Sequence, residues 1–530
     1  MTMTEAHLDN AAPLGAASGD VVARVSDWTT TVDHRRIGRL FAGTGLLAGL
    51  GLLVVAVLLA ADKVQSNVTF LPVHAVYPMA TLYRIGLPFL AVAPILLGLA
   101  IAVVPLQVGA SNIAFPRAAT LSYVTWLGGS ILVVASYLAN GGPGGSSNWY
   151  AELFLAGLVV VVVGLLIAAL CVVVTVATLR APGLTLDRVP LFSFANLIAC
   201  SVMLLSWPVL LANLVDLYVG HRYGQVPFGN STKIMGYIDW AVTHPGVTLF
   251  ALPALGFIGD AVATFAGVRQ PLRSVMMVAI GLAGLLSFGA DLQRGLYPEV
   301  SYRGLNIVAS LGTVLPFLVV MGLAGLTIKS GKITFGAPLV FALAAGLTGL
   351  LGSSMSLLLP FSRLGLLDSQ GVSADQTRII TATIYPAAQA SAMLFCGLLA
   401  GCGGLAYWGP RLWGRRLADK ALAPLALLGL AGAALVAIPE GIAAFSKQPI
   451  DEVAFSIGGP HQLLNALATA GYGLVALSVV GTVLLALRGF TKGELAGVDP
   501  WGGQSLEWTV EGTNDRLVMS AQPLFDRKDA

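Results

Sequence analysis

The chain has 530 residues, of which 56% are hydrophobic and only 10% charged, against roughly 25% charged in soluble globular domains. With a mean hydropathy of +0.83, this composition excludes an ordinary soluble enzyme, and a net charge of +3 is too small to point to nucleic acid. At roughly 20 apolar residues per crossing, there is enough apolar chain for about a dozen helices, which makes this an all-α polytopic membrane protein.

Residues 1–38 are polar or mixed and lack the short apolar core of a cleavable signal, so they are expected to form a tail, with the first helix directing insertion. Apolar runs bounded by charge or Gly/Pro clusters then follow at 40–61, 83–105, 120–139, 152–178, 190–217, 244–267, 274–293, 304–327, 335–359, 380–408, 421–444 and 461–487. Twelve crossings put both termini on one side. Twenty of the 29 lysines and arginines fall on that side, and positive loops resist translocation. The expected arrangement is a cytoplasmic tail over 1–38, one membrane domain over 39–490 and a cytoplasmic tail over 491–530, in a bacterial-type inner membrane.

Cys171, Cys200, Cys396 and Cys402 all fall in apolar stretches without a CxxC pair, so they read as packing residues. The 62 glycines suit close helix packing in lipid. Trp28, Trp126, Trp149, Trp408 and Trp413 are placed near membrane boundaries, as interfacial tryptophans generally are.

Several segments are more particular: TTVDHRRIG (30–38), VPLQVGASNIAFPR (104–117), APGLTLDRVPLF (181–192), HPGV (244–247), AYWGPRLWGR (406–415) and DPWGGQSLEW (499–508). In this order and spacing the chain resembles subunit I of the haem-copper cytochrome c oxidases, from about Thr30 to Trp508. The resemblance implies a fold of twelve transmembrane helices, haem and copper as cofactors, and subunit II or III-like partners beside membrane lipid.

The ligands that the resemblance implies are another matter. Haem iron takes strong axial donors and imidazole suits both iron and copper; the family uses six histidines inside the membrane. This chain has six in all, His7, His34, His74, His221, His244 and His461, and only His244 falls on a ligand position. Counting back from Pro105 through Pro94, the haem ligand of the second helix becomes Tyr83. Counting back from Pro410, the tenth-helix pair becomes Ala388 and Ala390, flanking Gln389. The paired copper ligands of the seventh helix become Ala290 and Asp291, and the gating glutamate and cross-linked tyrosine of the sixth become Gly246 and Thr248. Of the implied proton routes, the acid after PLQ corresponds to Asn112 and the eighth-helix lysine falls near Val314. The arginine pair that holds haem propionates resembles Lys447 and Gln448.

His244 is either a residual metal ligand, with Asp291 as an oxygen donor, or a hydrogen-bonded residue at a helix start; His74 reads as a loop residue. Arg84, Asp216, Asp260 and Asp291 lie in apolar spans, where ionisable groups are costly, and are open to a structural or a functional reading. Three functions compete. The first is a redox-inactive subunit I-like scaffold that assembles or anchors a respiratory complex, with no cofactor expected. The second is an active terminal oxidase with unusual ligands to haem and copper. The third is a transporter or proton conductor gated by Asp260, Asp291 and Arg84. If the haem space is vacated, Tyr83, Arg84 and Phe395 are expected among its occupants, because unfilled volume is destabilising.

Overall fold

The computed structural model describes residues 31–64, 71–143, 145, 147–223, 238, 246–288, 303–358, 383–449, 459–497, 499–503 and 505–508. Among these, twelve apolar helical rods follow one another. They are α1 His34–Asp62, α2, α3 Pro116–Leu138, α4 Asn148–Thr178, α5 Leu191–Arg222, α6 Leu252–Ala266, α7 Arg273–Ser287, α8 Arg303–Ser330, α9 Ala337–Ser356, α10 Tyr385–Trp413, α11 Asp419–Phe445 and α12 Pro460–Lys492. Eleven are long and apolar enough to cross a membrane, α6 together with the 3-10 turn Val247–Ala251 that leads into it. The remaining one, α7, has 15 residues, about 22 Å at 1.5 Å per residue.

Helix α2 is built of three pieces: Val73–Gly86, a π-helical turn over Leu87–Val92, and Ala93–Val108. Pro88 and Pro94 each remove a backbone donor from the ladder, and the wider π turn, which contains Pro88 and ends two residues before Pro94, absorbs the misfit. The rod begins ten residues before the apolar run that sequence alone marks, because Val73–Leu82 is only moderately apolar and contains Pro78. Two consequences correct the sequence reading. His74 sits in the first turn of a helix, exposed, rather than in a loop. Tyr83 sits well inside the rod rather than at its end.

The outer rods pack side by side, α1 on α3, α5 on α7 and α9 on α11 passing the inner rods, and α12 returns to pack on α1, which closes the ring. Inside it the most apolar stretches of α2, α10 and α6 are 100%, 94% and 89% buried, whereas those of α3 and α12 are 33% buried. The outer rods turn Leu47, Leu121, Ile131, Leu205, Leu285 and Leu484 outward, as lipid permits. Close approach depends on small residues. A Cβ on Gly432 of α11 would lie 2.7 Å from the Gly471 carbonyl oxygen of α12, and one on Gly471 would lie 2.8 Å from the Gly432 carbonyl oxygen, so the two backbones touch.

Trp126 and Trp408 are not interfacial: both are fully buried, Trp126 donating to the Phe89 carbonyl oxygen at 3.1 Å where α3 meets the π turn. A buried indole N–H usually finds a polar partner, and for Trp126 the irregular turn supplies that carbonyl. Trp149 is exposed. All four cysteines are buried and free.

Candidate functional site

The inner rods carry the positions that matter. On α2 the Tyr83 ring meets the Tyr472 ring of α12 edge to face, with centroids 6.1 Å apart, and Phe395 of α10 meets the same Tyr472 ring at 6.1 Å. The Tyr472 hydroxyl donates to Glu440 Oε1 of α11 at 3.2 Å, while Ser391 of α10 and Tyr472 face the Tyr83 hydroxyl. Four rods thus meet around a buried carboxylate. Glu440 is 8% exposed; its Oε2 accepts no hydrogen bond among the described residues, and the Lys63 ammonium beyond α1 acts on it electrostatically. Tyr83 and Phe395 thus pack on one shared ring, that of Tyr472. Arg84 is half-buried.

On α10, Ala388 is fully buried in an apolar cluster with Met355, Ile384, Tyr385, Ala392, Ala437 and Ala444. Next to it Gln389 Nε2 donates to Ser356 Oγ at 2.9 Å, and the Tyr385 hydroxyl donates to the Met355 carbonyl oxygen at 2.9 Å. Ala390 is half-buried. Beyond Glu440, where α11 ends, Gln448 Nε2 donates to Asn465 Oδ1 at 3.0 Å, Gln448 Oε1 lies 3.2 Å from His461 Nδ1, and Asn465 Nδ2 donates to the Lys63 carbonyl oxygen at 2.8 Å. Lys447 has φ 65°, which turns the chain sharply there.

The opposite end, which bears both termini of the bundle, gathers the distinctive segments into one place. Asp260 of α6 accepts from the Leu191 and Phe192 backbone N–H groups at 2.9 Å each, and so caps the start of α5. Gln107 Nε2, at the end of α2, donates to Asp260 Oδ2 at 3.2 Å and to Glu507 Oε1 at 3.1 Å. Gln107 Oε1 accepts from Ser193 Oγ at 2.6 Å. Trp501 donates through its indole to the Tyr407 carbonyl oxygen at 2.9 Å and Trp508 to the Tyr407 hydroxyl at 3.3 Å, and that hydroxyl pairs with Thr264 at 2.8 Å. Arg416 lies over the Trp501 ring, 4.7 Å from its centroid. Asn112 lies 3.1 Å from His34 Nδ1 and donates to the Val32 carbonyl oxygen, and Val314 is buried in α8.

Asp260 therefore sits among backbone and amide donors as a cap, and Asp216 is exposed. His244, Ala290 and Asp291 lie outside the described residues. Sequence reading missed Glu440 and Glu507. The signal for Glu440 was there, a carboxylate within an apolar run; Glu507 lies beyond the last helix and nothing in its neighbours marks it as buried.

Whether these residues suit haem can be judged from their donor atoms. Alanine has none, so neither Ala388 nor Ala390 offers iron a ligand. A tyrosine can ligate haem iron, but the Tyr83 ring is seated against Tyr472 and its hydroxyl faces Ser391. The residues described on α2 and α10 do not fit an axially ligated haem. Among the described residues there is no group of three or more His, Cys, Asp or Glu placed to share a metal.

A closed ring of long apolar rods around three buried ones defines a multi-pass helical membrane protein of oxidase-core architecture. The family model for Cytochrome C and Quinol oxidase polypeptide I matches residues 36–474, and the chain belongs to that family. It is 27% identical over 535 residues to cytochrome c oxidase subunit 1 of Bacillus subtilis, covering 95% of this chain and 83% of that protein. To the heme-copper oxidase subunit I+III of Aeropyrum pernix it is 28% identical over 540 residues, covering 96% of this chain and 63% of that longer protein. A solved heme-copper terminal oxidase dimer shares the fold with a TM-score of 0.64 at 13% identity, over 87% of this chain and 85% of the other.

Proposed function

We propose that this member of the oxidase subunit I family is a redox-inactive scaffold that helps assemble or anchor a respiratory complex in a bacterial-type inner membrane, with both termini cytoplasmic. The observation that carries the reading is the ligand positions of the inner rods. Tyr83, Ala388 and Ala390 stand where the family resemblance calls for haem-binding histidines, and close packing surrounds Ala388. The intact terminus-bearing face, where Gln107, Asp260, Tyr407, Trp501 and Glu507 interlock, supports a retained structural role.

Partners of the subunit II or III type are in keeping with the fused I+III relative. The gated-transporter reading loses one of its supports, since Asp260 is engaged by the start of α5. The test is pyridine haemochrome analysis of the purified chain: less than 0.1 haem per chain is expected, and a value near one overturns the proposal. Copper analysis of the same sample addresses His244, Ala290 and Asp291.

A further inference from the structure

The best-built polar cluster outside the former haem positions is the one that seats the C-terminal segment. Glu507 is 1% exposed and reaches in from residues 505–508, a short turn beyond the last helix. Its Oε1 takes a hydrogen from Gln107 Nε2, and its Oε2 has no partner among the described residues. The same Gln107 nitrogen gives its other hydrogen to Asp260 Oδ2. Two carboxyl groups thus share one amide nitrogen, in a setting with little solvent.

The two are unequally served. Asp260 accepts three hydrogen bonds, from Leu191, Phe192 and Gln107, whereas Glu507 accepts from Gln107 on one oxygen, with Ser505 and its own backbone N–H beside the carboxyl, and its other oxygen has no hydrogen-bond partner among the described residues. Two like charges across one amide are costly in a low dielectric, so such a pair holds a proton, and the proton favours the group with fewer donors. That group is Glu507. Burial first, and Asp260 second, push its carboxyl up to about 7.

Ser505 in the segment itself and Tyr407 on α10 act on Glu507 directly, while Ser193 on α5 bonds the oxygen of Gln107 and Thr264 on α6 bonds the Tyr407 hydroxyl. The Arg273 guanidinium at the start of α7 acts on Asp260 from one side and on Asp187 from the other. We infer that residues 499–503 and 505–508 form a pH-sensitive latch over the terminus-bearing end of α2, α5, α6 and α10. It is closed while the Glu507 carboxyl keeps its proton and loosened at the Glu507 end when that proton leaves. Trp501, anchored on Tyr407 and Arg416, is the hinge side. The latch is independent of whether the core binds haem.

Hydrogen–deuterium exchange of the full chain in lipid nanodiscs, followed on a peptide spanning 499–508 and corrected for intrinsic exchange, tests this. Protection is expected to fall at least tenfold between pH 6 and pH 8.5 with a midpoint near 7. In Glu507→Gln the fall is expected to disappear, and in Asp260→Asn it is expected to move to lower pH, because the second charge is gone. Flat protection in the wild-type chain overturns the latch without recourse to any variant. A fall in Glu507→Gln equal to that of the wild type, or an unmoved midpoint in Asp260→Asn, overturns the assignment to this pair.

Discussion

Glu440 shows how one side chain inside a membrane bundle is held by very few atoms. Its hydrogen bond comes from the Tyr472 hydroxyl, and a buried acceptor that loses its donor costs about 1–3 kcal/mol, more when charged. Tyr472→Phe is therefore expected to lower stability by at least that much in a thermal melt of the chain in nanodiscs, while Tyr472→Phe combined with Glu440→Leu recovers much of the loss. Asp260 is tied more firmly, since it closes two backbone donors at the start of α5. Asp260→Ala removes a cap worth about 0.5–2 kcal/mol and one of the two acceptors of Gln107 Nε2, the Glu507 acceptor remaining, so it is expected to lower the thermal midpoint. Guanidinium-free thermal scans of matched samples make the comparison, and equal midpoints for Asp260→Ala and the wild type would refute the capping account.

Between helices, the seam of α11 and α12 leaves no room for a side chain at Gly432 or Gly471. Gly432→Val must push the rods apart or strain the backbone, and overpacking of a well-filled interface costs about 1–3 kcal/mol. The substitution should lower the thermal midpoint, and the exposed outer position Gly43, which meets nothing within 4 Å, is its control. The C-terminal segment is an element of another kind, stitched by indoles rather than by a helix. Trp501→Ala deletes the bond to the Tyr407 carbonyl oxygen and the Arg416 stacking, so trypsin is expected to cut the tail faster than in the wild type, with the bundle intact. His244→Ala should leave tail cleavage unchanged.

At the scale of the whole molecule, the Glu507 carboxyl adds a pH term to stability. Its folded value of about 7 lies above the roughly 4.3 of a free glutamate, so its contribution is fully present below that free value and is lost as pH rises through 7. The melting midpoint is expected to be higher at pH 6 than at pH 8, and the difference to shrink in Glu507→Gln; a midpoint that rises from pH 6 to pH 8 contradicts this. The scaffold reading makes its own prediction at this scale. Oxygen uptake by membranes should be insensitive to His244→Ala, whereas Trp501→Ala should reduce the yield of the assembled complex. Loss of uptake in His244→Ala with assembly unchanged would favour a working metal site.

Composition and run length alone located the twelve apolar helices, eleven of them long and apolar enough to cross a membrane among the described residues, because a stretch of some 20 apolar residues has few alternatives to a membrane helix. From the spacing of Pro94, Pro105 and Pro410 the family resemblance assigns its haem-ligand positions to Tyr83, Ala388 and Ala390, and the structure carries these residues on the inner rods α2 and α10. The tertiary structure decided what periodicity cannot carry. It placed Trp126 and Trp408 in the core rather than at the interface, gave Asp260 its role as a cap for a helix some seventy residues earlier, and brought Glu440 to Tyr472 and Glu507 to Gln107, the last pair 400 residues apart in the chain. Hydrophobic runs report a residue's distance from water. Hydrogen-bond partners depend on which rods happen to be neighbours, and that is settled only when the ring closes.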